Sequence, residues 1–335
     1  MLTDLLSPTS LSPARRRVAI GGVVFGGLAV PVIAGPCAVE PDYVQHALAM
    51  RAAGASVLRG SVFKPRTRPD SFQGLGESGL ALLDTARSVT KTPVLVEPLS
   101  TEHLTGLIGR VDALMIGARS MQNTPLLRAA GRSGLPVVLK RGMAATYEEW
   151  LAAADYVLAE GNEHVILCER GIRTFETATR NTLDISAIPV LRERTALPVI
   201  VDPSHAAGRR EWVPALALAA VAAGADGLLI EAHPVPEASW SDAAQAIAPH
   251  TLAAVVAAVG VLAPLLRATE GVADSAEQGR VVDALDLAVG ALLESRAGAV
   301  ESVRQANGRT GPGVRVHGLD GEVPVSSAVP AVGLA

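Results

Sequence analysis

The stretch Val199-Ile200-Val201-Asp202-Pro203-Ser204-His205 joins a short apolar run to residues that can carry chemistry, and this arrangement recurs along the chain. Short, nearly continuous apolar runs are typical of parallel strands that helices cover. We predict eight strands, at Val30–Ala34, Ser56–Arg59, Val94–Glu97, Ala113–Gly117, Val137–Lys140, Val165–Cys168, Val199–Asp202 and Gly227–Glu231. Alanine- and leucine-rich segments lie between them, such as Tyr43–Ala53, Gly79–Ser88 and Pro214–Ala223, and these are predicted helices. Strands and helices are therefore expected to alternate.

Nearly every predicted strand ends in, or just before, a residue with a reactive or charged side chain. These residues are Cys37, Arg59, Glu97, Arg119, Lys140, Arg170, His205 and Glu231. In a barrel of eight parallel strands all carboxyl ends open onto one face, so the eight side chains would converge on one cavity. A doubly wound open sheet is the alternative, but it would not gather all the ends at one site. We therefore predict an α/β fold, a (β/α)8 TIM barrel.

Composition limits the possible functions. With 335 residues and 49% hydrophobic side chains, the chain can bury a large core. A formal net charge of −4 provides no basic surface of the kind that binds nucleic acid. The two cysteines, Cys37 and Cys168, cannot make a disulfide framework, so we expect a reducing, cytoplasmic location.

An uncharged stretch from Val18 to Val39 follows three arginines and is long enough to resemble a signal peptide or a membrane anchor. Paired glycines and two prolines interrupt it, which disfavours a continuous apolar helix. We instead predict a short glycine-turned hairpin followed by a buried strand, and no membrane contact.

The pattern of the chain changes beyond about Val261. We predict four parts: a flexible leader at 1–17, the catalytic barrel at 18–262, a helical extension at 263–307 and a flexible tail at 308–335. Most of the extension, Asp274–Asn307, is predicted as one long helix.

Five cations are expected around the cavity: Arg59, Lys64, Arg119, Lys140 and Arg170. Burying so much like charge is costly without an anion, so the cavity is expected to take a multiply charged anionic ligand. Arginine matches phosphate and carboxylate oxygens in a bidentate way, and lysine adds a point charge. Alternatively, each cation pairs with a neighbouring carboxylate in a structural salt bridge.

A second group combines a thiol, an imidazole and two carboxylates: Cys37, His205, Glu231 and Asp242. Such a set suits a borderline divalent transition metal with a position left for water or substrate. The spacing alone leaves other roles open, in which Cys37 is a small core residue and His205 caps a helix or is simply hydrogen-bonded. Cys168 lies within an apolar run and is expected to be a core residue.

Further short runs follow one another between about Val18 and Val259. They are Ile33-Ala34-Gly35-Pro36-Cys37-Ala38-Val39-Glu40, Lys64-Pro65-Arg66-Thr67, Phe72-Gln73-Gly74-Leu75-Gly76, Gly117-Ala118-Arg119, Leu139-Lys140-Arg141-Gly142, Cys168-Glu169-Arg170-Gly171, Asp202-Pro203-Ser204-His205 and Ile230-Glu231-Ala232-His233-Pro234. Together they resemble the superfamily of 3-deoxy-D-arabino-heptulosonate 7-phosphate (DAHP) synthases and 3-deoxy-octulosonate 8-phosphate synthases. The longer runs Ile172-Arg173-Thr174-Phe175-Glu176 and Arg180-Asn181-Thr182-Leu183-Asp184-Ile185 resemble the bacterial type I-beta subgroup of DAHP synthases.

The resemblance implies which residues bind what. It implies a divalent metal ion (Mn, Co, Fe or Zn) on Cys37, His205, Glu231 and Asp242, with Cys37, His205 and Lys64 as catalytic residues. It implies phosphoenolpyruvate on Arg59, Lys64, Arg119, Lys140 and Arg170, and erythrose 4-phosphate on Lys64, Pro65, Arg66 and Thr67. Octulosonate synthases carry an Asn-Arg-Ser type sequence at this last run, which favours erythrose 4-phosphate over arabinose 5-phosphate here.

The implied reaction is a metal-dependent aldol-type condensation that yields DAHP and phosphate, the first step of the shikimate pathway to aromatic amino acids. Lys64, crowded by other cations, is expected to have a lowered pKa and to handle a proton near C2 of phosphoenolpyruvate. Glu97 either orients the attacking water or forms an ion pair with Lys140 or Arg119.

Two departures from the family pattern flank the predicted metal ligands. Ala243 stands where relatives usually have glycine, and Ala206-Ala207-Gly208 replaces a Ser-Gly-Gly type turn. Asp242 is therefore the least secure ligand. Two alternatives stay open: a paralogue that uses another aldose phosphate, in octulosonate or secondary metabolism, and a barrel that serves as a partner-binding subunit.

The C-terminal extension carries a second resemblance. Val282-Asp283-Ala284-Leu285-Asp286 and Ala291-Leu292-Leu293-Glu294-Ser295-Arg296 resemble the first helix of the all-helical chorismate mutases. Gly279 stands where that family usually places an active-site arginine, so we predict no mutase activity. The apolar stripe of this helix is expected to pack on the barrel or across a homo-oligomer, or to dock a separate chorismate mutase or another pathway protein.

Overall fold

The structure, a computed structural model, describes residues 15–66 and 68–268. Its strands are β1 (Val18–Ile20), β2 (Val23–Phe25), β3 (Val32–Gly35), β4 (Val57–Arg59), β5 (Val94–Val96), β6 (Ala113–Ile116), β7 (Val137–Lys140), β8 (Val165–Glu169), β9 (Val199–Val201) and β10 (Gly227–Glu231). Strands β3 to β10 are parallel, and they close into a barrel because β10 pairs with β3. Each of the eight overlaps one of the predicted runs, so the predicted (β/α)8 barrel is confirmed.

Helices follow the barrel strands and cover them from outside. They are α1 (Tyr43–Ala52), α2 (Glu77–Thr90), α3 (Thr101–Leu107), α4 (Thr124–Arg132), α5 (Tyr147–Leu158), α6 (Ala187–Arg194), α7 (Pro203–Ala207), α8 (Val213–Ala222) and α9 (Pro249–Ala268). Local sequence explains several starts: Ser100 and Asn123 accept a hydrogen bond from a backbone N–H of the first turn, and Thr146 forms a capping box with Glu149.

Small and branched side chains fill the barrel interior. The inward residues are Ile33, Val57, Leu95, Ala113, Met115, Val138, Ile166, Cys168, Ile200 and Leu229. Cys168 is fully buried among them, as expected for a core residue. A larger apolar layer lies between the strands and the helices. The two layers leave the carboxyl ends of the strands as the place for polar chemistry.

The hairpin of β1 and β2 closes the amino-terminal end of the barrel. Gly21 and Gly22 form its two-residue turn with φ of 53° and 91°, the left-handed values that such turns require. Val18, Ile20 and Phe25 are fully buried against the interior residues. The stretch from Val18 to Val39 is thus a hairpin followed by a buried strand, as predicted, and not a continuous helix.

Helix α9 is, within the described residues, the one helix long and apolar enough to span a membrane by length and composition, at Pro249–Arg267. It packs against α8, and Leu252, Val255, Val259 and Ala263 belong to the core of the barrel. The helix runs through the predicted boundary at 262. Residues 1–14 of the leader, the mutase-like helix and the tail lie outside the described residues, so these assignments, the domain bounds and the docking of a partner stay predictions.

Candidate active site

One cavity of about 310 Å³ lies at the carboxyl ends of the strands. Its lining includes most of the predicted site: Cys37, Arg59, Lys64, Pro65, Arg66, Arg119, Lys140, Arg170, His205 and Asp242. Glu231 is buried beside it, with 1% of its surface exposed. Thr67 lies outside the described residues. The structure therefore gathers the predicted site residues that it describes, which are far apart in sequence, at one place.

Four candidate metal ligands form the inner wall of this cavity. Cys37 follows β3, His205 lies in α7 just after β9, Glu231 ends β10 and Asp242 belongs to the loop beyond it. One ligand atom from each lies within 4.8 Å of all the others. The pairing of β10 with β3, which sets Glu231 opposite Gly35, brings the first and last of these strands together.

His205 is held with Nε2 towards the other ligands. Nε2 lies 3.4 Å from Glu231 Oε1, while Nδ1 lies 2.7 Å from Asp202 Oδ2. The second contact is not aligned as a hydrogen bond, but Asp202 also accepts one from the His205 backbone N–H at 2.9 Å and so caps α7. Burial lowers the pKa of His205, against the opposing effect of Asp202. A neutral imidazole whose far nitrogen faces a carboxylate is the usual form of a metal-binding histidine.

The Cys37 thiol is surrounded by charges. Arg59 Nη2 lies 3.2 Å and Lys64 Nζ 2.5 Å from Sγ. Burial raises the pKa of Cys37 to about 12, with Glu231 adding to the effect and the two cations opposing it. Burial therefore favours the thiol form, and binding of a metal must displace its proton.

The predicted pKa of Lys64 is wrong in direction. Burial alone would lower it, but Cys37, Asp242 and Glu231 outweigh burial and raise the pKa above its usual value. The sequence indicated the crowding by cations but not that Asp242 Oδ2 would lie 3.3 Å from Lys64 Nζ.

The five cations fall into two classes. Three have a carboxylate partner: Arg59 with Glu231 at 2.8 Å, Lys64 with Asp242, and Lys140 with Asp202 at 2.6 Å. The side chains of Arg119 and Arg170 instead donate to the backbone oxygens of Pro65 and Gly171, and neither has a carboxylate within 4.0 Å among the described residues. Structural salt bridges thus account for three cations and leave two for an anionic ligand.

Glu97 faces the cavity and is 8% exposed. Within residues 15–66 and 68–268 its carboxylate has no ion-pair partner inside 4.0 Å, so the predicted pairing with Lys140 or Arg119 does not occur: Lys140 is taken by Asp202. Burial raises the pKa of Glu97, although Lys140, Lys64 and other cations oppose the shift. The Glu97 carboxylate can therefore contact a ligand bound in the cavity.

A second set of candidate ligand atoms belongs to three buried side chains, those of Glu40, His46 and His233. The Val235 backbone N–H donates to His233 Nδ1 at 3.0 Å, which leaves the ring proton on Nε2, 3.2 Å from Glu40 Oε2. A protonated ring nitrogen is not a metal ligand. Glu40 also accepts from the Trp240 backbone N–H at 3.0 Å, so this set anchors the loop that leads to Asp242.

Sequence reasoning gave no role to Asp202, Arg180 or Gln245. Asp202 directly follows an apolar strand and precedes Pro203 and His205, a position that indicates a helix cap at the carboxyl end of the barrel. Arg180 lines the cavity and contacts Asp242 Oδ1 at 3.1 Å, and Gln245 donates to Glu231 Oε2 at 2.7 Å. Spacing offers no signal for these last two contacts, because they join separate loops.

The backbone conformation accommodates both departures from the family pattern, at Ala243 and at Ala206-Ala207-Gly208. Asp242 has the left-handed φ of 55°, and Ala243 is not among the described residues with positive φ. A glycine is therefore not required at 243. Ala206 and Ala207 lie in α7, and the glycine that ends it, Gly208, is present.

Comparison with known proteins places this geometry in a family. A model of the DAHP synthetase I family matches residues 13–263. The phospho-2-dehydro-3-deoxyheptonate aldolase of Thermotoga maritima is 47% identical over 237 residues, 70% of each chain. The 2-dehydro-3-deoxyphosphooctonate aldolase of Nitrosococcus oceani is 33% identical over 233 residues, 63% of this chain and 81% of that protein.

Solved structures agree with these similarities. The crystal structure of the Thermotoga maritima DAHP synthase matches with a TM-score of 0.70 and 46% identity, covering 73% of this chain and 72% of that one. A truncated form of the 3-deoxy-D-arabino-heptulosonate 7-phosphate synthase from Thermotoga maritima matches with a TM-score of 0.67 and 42% identity, covering 73% and 90%. The resemblance seen in the motifs is confirmed, and the chain belongs to the DAHP synthetase I family and is an enzyme of it.

Proposed function

We propose that the chain condenses phosphoenolpyruvate with erythrose 4-phosphate to give DAHP and phosphate, with a divalent metal on Cys37, His205, Glu231 and Asp242. The observation that carries the proposal is the meeting of these four ligand atoms, within 4.8 Å of one another, at the wall of a cavity whose lining includes all five predicted cations. A thiol, a neutral imidazole and two carboxylates are a donor set for Mn, Co, Fe or Zn. The ammonium of Lys64 contacts Cys37 and Asp242, two of the four ligand side chains. This contact indicates that the set of four ligands attracts a positive charge.

The cations of the cavity bind and orient the substrates. Arg119 and Arg170, which have no carboxylate partner among the described residues, hold the phosphate and carboxylate of phosphoenolpyruvate together with Arg59, Lys64 and Lys140. Pro65, Arg66 and Thr67 lie next in the chain and are assigned to erythrose 4-phosphate. Bound there, the metal supplies Lewis-acid polarisation of the aldehyde oxygen.

Carbon–carbon bond formation joins C3 of phosphoenolpyruvate to the aldehyde carbon, and water then adds at C2 before phosphate leaves. Glu97 is assigned to orient that water, since its carboxylate faces the cavity and is not taken by an ion pair with another described residue. Lys64 is assigned to handle a proton near C2, and its contacts with Cys37 and Asp242 hold its ammonium at the wall of the cavity.

The higher identity to the heptonate aldolase than to the octonate aldolase supports the four-carbon aldose. A paralogue with another substrate is the alternative. The test measures phosphate release from phosphoenolpyruvate with erythrose 4-phosphate or arabinose 5-phosphate, each with and without chelator. Chelator-sensitive release with erythrose 4-phosphate is expected. Faster release with arabinose 5-phosphate would favour the octulosonate reaction, and release with neither would favour a partner-binding barrel.

The pathway, the cytoplasmic location and the homo-oligomer are part of the same proposal. They rest on the reaction assigned here and on the cysteine content, and each stays a prediction.

A further inference from the structure

We infer that Arg180 and Gln245 form a clamp that sets the positions of the two carboxylate ligands, Glu231 and Asp242. Gln245 Nε2 donates to Glu231 Oε2 at 2.7 Å, and Gln245 Oε1 accepts from Arg180 Nη1 at 2.8 Å. The same Arg180 nitrogen donates to Asp242 Oδ1 at 3.1 Å. One continuous row of hydrogen bonds therefore runs from one carboxylate to the other.

The amide of Gln245 can serve this row in one orientation only. Turned over, its oxygen would face the Glu231 carboxylate and its NH2 would face the Arg180 guanidinium, and both hydrogen bonds would be lost. The side chain is 2% exposed, so water does not replace those partners. The site thus requires a group at position 245 that donates on one side and accepts on the other.

The conformation of Asp242 depends on contacts from other residues. Its φ of 55° is disfavoured for a residue with a side chain and persists where neighbouring contacts determine it. A shallow cavity lined by Arg180, Asp242 and Gln245 lies behind it, so close packing does not fix the aspartate from that side. The hydrogen bond from Arg180, with that of the Gln245 backbone N–H to the Asp242 carbonyl at 3.1 Å, does.

Arg180 is itself fixed by the end of α7. Its backbone N–H donates to the Ala207 carbonyl at 3.2 Å, and a Cβ on Gly208 would come within 2.5 Å of the Arg180 Cβ. The clamp therefore joins three segments, those that follow β8, β9 and β10. It leaves Glu231 Oε1 on the side of Arg59 and His205.

This inference rests on the proposed metal site, and its test uses cobalt(II) alone as the probe. The full-length chain is stripped of metal by chelation and titrated with cobalt(II), following the absorption band of the cobalt–thiolate bond. Gln245→Met keeps the size of the side chain and removes both hydrogen bonds. Gln245→Asn keeps the amide group but places it on a side chain that is one methylene shorter. Gln122→Met, at an exposed glutamine, is the matched control.

We expect both variants at position 245 to bind cobalt(II) about 10- to 100-fold more weakly, the effect usual for loss of a residue that orients a ligand. The control should bind as the wild type does. Binding of phosphoenolpyruvate to the metal-free variants, measured by calorimetry, should change much less than cobalt(II) binding, because Gln245 itself does not line the cavity. General damage to the fold would instead weaken the binding of both cobalt(II) and phosphoenolpyruvate.

Cobalt(II) affinities within twofold of wild type in both position-245 variants would overturn the clamp and leave the metal site standing. Absence of a cobalt–thiolate band in the wild-type chain would overturn the metal site of the proposed function, and the clamp with it.

Discussion

The two ends of the barrel use carboxylates in opposite ways. At the amino-terminal end, Asp112 and Asp226 each precede a strand and accept a hydrogen bond from the backbone N–H of a neighbouring strand, from Val94 and Val199, both at 2.9 Å. Each also meets an arginine at the outside of the barrel. At the carboxyl end, Glu97 and Glu231 lie among cations that come from distant parts of the chain and face a cavity or its wall.

The difference separates stability from chemistry. A carboxylate that ties backbone N–H groups together stabilises the barrel whatever the cavity contains. A buried carboxylate that lies among several cations beside a cavity adds little to stability that apolar packing could not, and its presence there points to a ligand. Changes at the amino-terminal end should therefore alter the free energy of unfolding and leave kinetics intact, and changes at the carboxyl end should do the reverse.

The largest effect is expected at the carboxyl end, for Cys37→Ser. Turnover at physiological metal levels should fall by more than about 100-fold, because a neutral hydroxyl replaces a soft anionic ligand. Metal content after dialysis, measured by atomic absorption, should fall with it.

The other cysteine is the matched control. Cys168→Ala removes a thiol from the barrel interior, where the side chain is fully buried, and should cost stability without loss of metal. If Cys37→Ser retained near-normal activity and metal, Cys37 would have to leave the ligand set.

Next in size is Arg66→Ala, which tests how the cavity is divided. Loss of one charge-assisted contact to phosphate costs about 1.5–3 kcal/mol, so the KM for erythrose 4-phosphate should rise about 10- to 100-fold and that for phosphoenolpyruvate much less. Arg128→Ala, which removes an ion pair between α4 and Glu160 outside the cavity, should change neither. Equal rises for both substrates would contradict the assignment of Arg66 to the aldose.

The sequence predicted the barrel because strands buried on both faces read as unbroken apolar runs, so even short ones such as Val199–Val201 were found. It also predicted which residues meet, because the residues that end such runs share one face. It could not predict how those residues pair. The contacts of Lys64 with Cys37 and with Asp242, 178 positions away, reverse the expected pKa shift, and the second depends on a loop conformation that no periodicity encodes.

A matched pair of glycines tests the two ends with the same chemical change, the addition of one methyl group. At the amino-terminal end, a Cβ on Gly227 would lie 2.7 Å from the ring of Phe25 and 2.9 Å from Ile200. These atoms belong to the packed interior beneath the hairpin, so Gly227→Ala should lower the free energy of unfolding by about 1–3 kcal/mol. Urea denaturation measures this change, and kcat and both KM values should stay at wild-type levels. A fall in kcat without loss of stability would break the proposed separation at this end.

The smallest effect is expected from the other member of the pair, Gly117→Ala. Its Cβ would lie 1.9 Å from Glu97 Oε1, the far end of a flexible side chain that can turn away. The free energy of unfolding should therefore change by less than about 1 kcal/mol, well below the cost at Gly227. Because Glu97 is assigned to orient the attacking water, its displacement should lower kcat about 5- to 10-fold, or about 1–1.4 kcal/mol of barrier, with both KM values little changed. Glu97→Gln, which keeps the shape of the side chain and removes its charge, should lower kcat at least as far, since both changes act on the same group. Wild-type kcat in Gly117→Ala would mean that the position of this carboxylate does not matter to the reaction. A loss of stability equal to that of Gly227→Ala would mean that the two ends of the barrel do not divide stability from chemistry.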